Sequence, residues 1–260
     1  MGTVQLTVTL DIPAPAGGTA VGISVDPPGA GTVPATVTVA ENQLSAALAY
    51  TDVAGAGVST VTATLGGSTS DATVTVVAGT DTLVISQVYG GGGNSGAPLT
   101  HDFIEIHNPG SAAVSLAAGM SVQYASATGT AWQVTPLPTN LTIPGGGYLL
   151  IQEAGGTTGA PLPAPDATGA IAMSATNGKV ALVNGTAALT GACPTANVVD
   201  LVGYGTATCF EGTAAAPAAS NMNAVLRAGD GCVDTDQNGS DFAAGAPDPR
   251  NSAAAPVVCN

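Results

Sequence analysis

At 260 residues the chain is too long for one small β-sandwich and long enough for two domains. Hydrophobic residues make up 45% of it but aromatics only 3%, and its 36 glycines favour short aliphatic strands between turns over helical bundles. Seventeen acidic residues against three fixed cations, Lys179, Arg227 and Arg250, give a formal net charge of −14; a phosphate backbone needs clustered cations, so nucleic-acid binding is excluded, and no apolar run is long enough to span a membrane.

Residues 3–78 read as the first domain. Val4, Leu6, Val8 and Leu10 alternate with Gln5, Thr7 and Thr9, the period-two pattern of a half-buried strand. The pattern returns at residues 21–25, 33–39, 44–50, 58–65 and 72–77, each run set off by Pro, Gly, Asp or Asn. Short alternating strands at this spacing predict a two-sheet sandwich. Ala78, Gly79, Thr80 and Asp81 form a linker too short for free tumbling, which predicts a semi-rigid rod.

The second domain is expected over residues 81–253. Leu83, Val84, Ile85, Val88 and Tyr89 form a β-branched and aromatic run that ends in Gly90, Gly91, Gly92 and Gly93, where a loop starts. Residues 102–107 resume strand character, with Ile104 and Ile106 on one face and Phe103, Glu105 and His107 on the other, before the turn Asn108-Pro109-Gly110. Trp132 is expected in the core or across a sheet edge. Asn177-Gly178 and Asn184-Gly185 place the two-residue hairpin signature on both sides of the strand 179–183, which predicts a meander. Residues 155–170 and 213–220, rich in Gly, Pro, Ala and Thr, predict surface loops.

Cys193, Cys209, Cys232 and Cys259 form an even set with no C-x-x-C pair, which argues for disulfides and an oxidising compartment over zinc or redox chemistry. Cys193 and Cys209 flank the apolar run 198–204, and a bridge there would contribute up to about 3 kcal/mol in the chain-entropy model. Cys232 and Cys259 would then tie down a C-terminal tail, residues 254–260; four cysteines nonetheless allow three pairings. Met1-Gly2 is not followed by the charged and apolar regions of a leader, so any secretion signal is expected to have been removed.

Residues 85–96 (ISQVYGGGGNSG) and 102–109 (DFIEIHNP) resemble the opening of a lamin-tail domain of secreted bacterial proteins. The resemblance continues through residues 121–126 (SVQYAS), 146–153 (GGYLLIQE), 179–184 (KVALVN), 202–205 (VGYG) and 249–252 (PRNS). It implies an immunoglobulin-like sandwich without catalytic activity of its own. The first domain resembles bacterial immunoglobulin-like repeats in residues 10–18 (LDIPAPAGG), 33–39 (VPATVTV) and 72–76 (ATVTV). The expected fold is therefore all-β, two tandem immunoglobulin-like β-sandwiches, the second an elaborated lamin-tail type.

Residues 234–241 (DTDQNGSD) satisfy the first half of a calcium loop, with Asp234, Asp236, Asn238 and Asp241 as candidate ligands. The twelfth position is Gly245, so the bidentate Glu is missing, and the competing reading is an Asx-rich turn. His101 and His107 are read as structural, since Glu105 and His107 share a face that Asp102 does not. Lys179 is the sole lysine through which an intramolecular isopeptide bond could form. No nucleophile elbow, zinc-protease motif or phosphate loop occurs, and no cofactor besides calcium is implied. The functional expectation is a noncatalytic structural, adhesion or spacer module at a bacterial surface or outside the cell, meeting an extracellular protein or surface polymer, with self-association open. Its rivals are a targeting module of a secreted nuclease or phosphatase, and a carbohydrate or cell-wall binder using Trp132 and tyrosines as platforms.

Overall fold

The computed structural model describes residues 3–53, 57–76 and 82–259. Contacts cluster in two units, Met1–Ala78 and Gly79–Asn260. The expected linker, Ala78 to Asp81, lies outside the described residues, and so does any test of the semi-rigid rod.

The first unit contains β1 (Thr3–Thr9), β2 (Thr19–Asp26), β3 (Gly31–Thr32), β4 (Thr36–Val39), β5 (Ser45–Asp52), β6 (Gly57–Leu65) and β7 (Ser68–Val76). They form two sheets, β1-β5-β3 and β4-β2-β6-β7. Alternation sends Val21, Ile23, Leu48, Tyr50, Val61 and Val74 between them, while Gln5, Thr7 and Thr9 face solvent. Tyr50 is the one large ring of this core, and its hydroxyl sits 3.2 Å from the Ala30 carbonyl and 3.1 Å from Ser59 Oγ. Residue 31 is glycine because a Cβ there would strike the Tyr50 ring. The tight hairpin of this unit falls at Gly66-Gly67, both at positive φ, joining Leu65 to Ser68.

The second unit contains β8 (Val84–Tyr89), β9 (His101–His107), β10 (Val114–Ser115), β11 (Met120–Ala125), β12 (Gln133–Pro136), β13 (Thr142–Ile143) and β14 (Tyr148–Gly155). It continues with β15 (Ala167–Thr168), β16 (Gly178–Asn184), β17 (Val198–Tyr204), β18 (Ala224–Arg227) and β19 (Phe242–Gly245). A six-stranded sheet runs β15-β14-β9-β8-β18-β19, a four-stranded one β12-β11-β16-β17, and β10 pairs with β13 alone. Helical elements of the second unit include a 3-10 turn at Gly229–Gly231 and one turn, α1, at Asn238–Asp241.

β8 and β9 are buried on both faces, because the six-stranded sheet is covered on each side. On one face of β9 the rings of Phe103 and Tyr89, with Leu150 and Ala224, are roofed by Leu99, Leu162 and Leu226. The four-stranded sheet has a similar apolar patch, where Trp132, Ala181, Val183, Leu201 and Cys209 pack against Leu189 and Val198.

The predicted two-residue hairpins at Asn177-Gly178 and Asn184-Gly185 do not form. β16 pairs antiparallel with β11 on one side and β17 on the other, and residues 185–197 intervene before β17 begins. The Gln123 side chain donates to the Ala187 carbonyl and accepts from the Leu189 amide, holding the intervening loop against β11. Gly178 instead gives space to the Tyr124 and Tyr204 rings.

Candidate functional site

The loop at residues 90–101 and the loop at residues 155–170 come together. Gly93 bridges Thr158 antiparallel and Leu99 bridges Ala160 in parallel. The Thr100 amide donates to Ala160 O at 2.9 Å, Gly156 N to Thr100 O at 2.8 Å and Ala160 N to Pro98 O at 2.8 Å. This close approach explains the glycine run: a Cβ at Gly92 would overlap the His101 backbone, and one at Gly93, which lies at φ 70°, would overlap Gly156. A third segment joins them through Asn221, whose carbonyl accepts from Tyr89 Oη at 2.6 Å, whose Oδ1 accepts from Asn94 Nδ2 at 3.2 Å and whose Nδ2 donates to Ser95 O at 3.1 Å. Asn94, Ser95, Gly96, Pro98, Met222 and Asn223 are exposed on the resulting platform. Residues 90–100, 155–165 and 220–223 carry no ionisable side chain, so the platform is neutral on a chain of formal charge −14.

Beneath the platform, Asp102 fastens two loops. Its Oδ1 accepts from the Gly92 amide at 2.8 Å and its Oδ2 from the Met173 amide at 2.9 Å. Burial raises its pKa to about 7, outweighing those two amides, with the nearby Glu153 charge adding to the rise.

Two of the predicted calcium residues, Asp234 and Asp241, approach the same nitrogen of Arg227, at 2.7 and 3.9 Å. Its guanidinium, fully buried at the side chain, meets Asp200 Oδ2 and Asp234 Oδ1 at 2.7 Å each, donates Nε to Ile85 O and lies 4.6 Å from the Phe242 ring. Burial works to lower the pKa of Arg227, and the Asp200 and Asp234 carboxylates overcome it and hold the group charged. Asp234 is thus spent on an ion pair. Asp241 accepts from Thr235 N, Thr235 Oγ1 and Gln237 N, the bonding of an Asx-rich turn, and Asp236 sits exposed at φ 53°. Asn238 turns inward, accepting from Gly203 N and donating to Leu201 O, which anchors α1 to β17. Asp200, Glu211 and Asp234 bring oxygens within 4.8 Å of one another around this cation. Burial, then the Asp200 charge, raises Glu211 to about 8.

A second inward-turned cation closes the opposite stretch of β9. Arg250 donates from its backbone to Glu105 Oε2 at 2.6 Å and from its guanidinium to Glu105 Oε1 at 2.8 Å, and it lies 3.9 Å from the Tyr148 ring. Residues 249–252 therefore act as a clasp. His107 is wholly buried, stacked on Tyr148 at 4.4 Å, with Nε2 2.9 Å from Val257 O. His101 Nδ1 meets Thr100 Oγ1 at 2.8 Å. Lys179 donates to the carbonyls of Gly129 and Ala192 at 2.7 Å and lies 5.3 Å from the Trp132 ring, so its ammonium is engaged without an isopeptide partner. Trp132 is 6% exposed and every tyrosine is buried, which leaves no aromatic pair of the kind a sugar-stacking platform needs. Disulfides join Cys193 to Cys209 and Cys232 to Cys259. No helix among the described residues is long and apolar enough to cross a membrane.

Neither the Asp200–Arg227 and Glu105–Arg250 ion pairs nor the platform assembled from remote segments was visible in residue spacing. Only the glycine run hinted at close backbone contact.

Stacked antiparallel sheets, charges folded inward and loops stitched by their own backbone define an immunoglobulin-like β-sandwich module. The family model of the lamin tail domain matches residues 77–206, and the chain belongs to that family. The match stops short of the clasp at residues 249–252, although β18 beyond it pairs with β8 in the same sheet. No curated protein matches the chain.

Proposed function

We propose that the chain is a noncatalytic structural and adhesion module of a secreted or cell-surface bacterial protein, its first unit serving as an immunoglobulin-like repeat that spaces the lamin-tail unit from its support. The observation that carries this reading is the neutral platform of residues 90–100, 155–165 and 220–223, its first two segments joined by backbone bridges, in an otherwise acidic chain. Small polar side chains and open backbone groups suit a neutral surface polymer or the backbone of an extracellular protein. Two disulfides support an oxidising compartment. Calcium has no necessary part in it, since Asp234 is paired with Arg227 and Asp241 is hydrogen-bonded within its own turn.

Hydrogen exchange with purified peptidoglycan as probe tests the reading. Protection is expected in the three platform segments, and to vanish in the Asn94→Asp, Asn223→Asp double variant, which puts charge on the platform. Protection confined elsewhere, or turnover of nucleic-acid, phosphomonoester or glycoside substrates by the purified chain, would overturn it.

A further inference from the structure

The Cys232–Cys259 disulfide lies against His107, and the three side chains offer Sγ, Sγ and an imidazole nitrogen within 4.8 Å of one another. Independently of the cysteines, the imidazole is already prepared as a ligand. Its Nε2 lies 2.9 Å from the Val257 carbonyl, which only an Nε2–H can satisfy, so the proton sits there and the lone pair is on Nδ1. Nδ1 makes no hydrogen bond although His107 is wholly buried. Residue 231 is glycine at φ 100°, and a Cβ in its place would lie 2.7 Å from Nδ1. An imidazole whose second nitrogen donates to a backbone carbonyl is the arrangement that orients histidine on a metal.

The three groups are held by more than the disulfide. His107 is fixed in β9 by pairing with Val84 and Tyr148 and by its stack on Tyr148. Cys232 N bonds Gly229 O at 3.1 Å, Val257 N bonds Gly146 O at 2.8 Å and Cys259 N bonds Pro109 O at 2.9 Å. Opening the bridge therefore leaves both sulfurs beside the ring. The cysteines are half-buried, which gives an ion a way in from solvent.

We propose that His107, Cys232 and Cys259 form a redox-gated site for a thiophilic divalent cation of the zinc type, so that the C-terminal tail is stapled by a disulfide when oxidised and by a metal when reduced. The reductant is a dithiol, which supplies two electrons and two protons and leaves as its own disulfide; the S–S bond breaks to two thiols. The cation displaces both thiol protons to solvent, and the neutral imidazole enters through its unprotonated nitrogen with no proton lost. A Cys₂His set leaves the fourth tetrahedral position to water.

The test uses the full chain with Cys193→Ser and Cys209→Ser, so that only one thiol pair remains. It is reduced under nitrogen with a phosphine and titrated with Co²⁺, then Zn²⁺. One equivalent of Co²⁺ should produce tetrahedral ligand-field and thiolate charge-transfer bands that Zn²⁺ abolishes, with no bands before reduction. His107→Ala should weaken binding at least ~10-fold, a loss of the size seen when metal-site ligation is disturbed, and change the band pattern, while its disulfide still forms on oxidation. A reduced chain without these bands overturns the proposal, as does a His107→Ala variant that binds Co²⁺ unchanged. So does a reduced second unit that unfolds and is not refolded by Zn²⁺, read by near-ultraviolet circular dichroism.

Discussion

The two units are both β-sandwiches, yet they are held together differently. In the first, small and β-branched residues alternate along exposed strands, and six buried side chains, Tyr50 the largest, form the core. In the second, all three cations and all four cysteines are found, and carboxylates such as Asp102, Glu105 and Asp200 are buried with them. The first resembles a minimal sandwich stabilised mainly by apolar area, with the Tyr50 hydroxyl its main buried polar contact. The second stakes its stability on polar groups that are satisfied only in one arrangement, which makes it specific at the cost of making each partner costly to remove.

The sharpest way to separate the units is Arg227→Met. It leaves Asp200 buried without its cation, and loss of one partner of a buried pair costs about 3–5 kcal/mol. The second unit's thermal transition should collapse to lower temperature while the first unit's holds; equal shifts in both would show that the units do not unfold independently.

The pH dependence should differ next. Asp102 and Glu211, raised in the fold from 3.8 to about 7 and from 4.5 to about 8, retain protons that the unfolded chain has already released. The folded state thus binds more protons over that window, so stability falls as pH climbs through it and is fully present below the ordinary carboxylate range. The second unit should be more stable at pH 5 than at pH 8 by a few kcal/mol, and Asp102→Asn should flatten that slope. A second unit that gains stability towards pH 8 would contradict the burial argument.

A smaller effect is expected in the first unit. Tyr50→Phe removes the hydroxyl near Ala30 O and Ser59 Oγ and should cost about 1 kcal/mol there, with no change in the second unit by chemical denaturation. The smallest is calcium: a titration against a chelator should leave both transitions in place, because the loop oxygens of Asp234 and Asp241 are already bonded. A rise would restore Asp234, Asp236, Asn238 and Asp241 as ligands.

Much of this was legible beforehand. Period-two alternation from Val4 to Leu10, the run ending at Gly90 and the resumption at Asp102 are local properties of a strand, and they survive folding because the pleat itself has period two. The hairpin expectation at Asn184-Gly185 failed for the opposite reason. Turn chemistry is permissive, and the following residues instead bond to a side chain distant in sequence, Gln123. The spacing of residues 234–241 likewise says nothing about Arg227 arriving from β18 to pair with Asp234.

Sequence alone determined the all-β class, the division into strand runs and loops, and the even set of cysteines, because each follows from near-neighbour pattern or composition. Only the tertiary structure decided that Arg250 clasps Glu105 across 145 positions, that Asp200 shares Arg227 with Asp234, and that residues 90–101 and 155–165 make one surface. Those choices depend on sheet order, which brings remote segments together, and on the cost of burying a charge, which is met only when the right partner arrives.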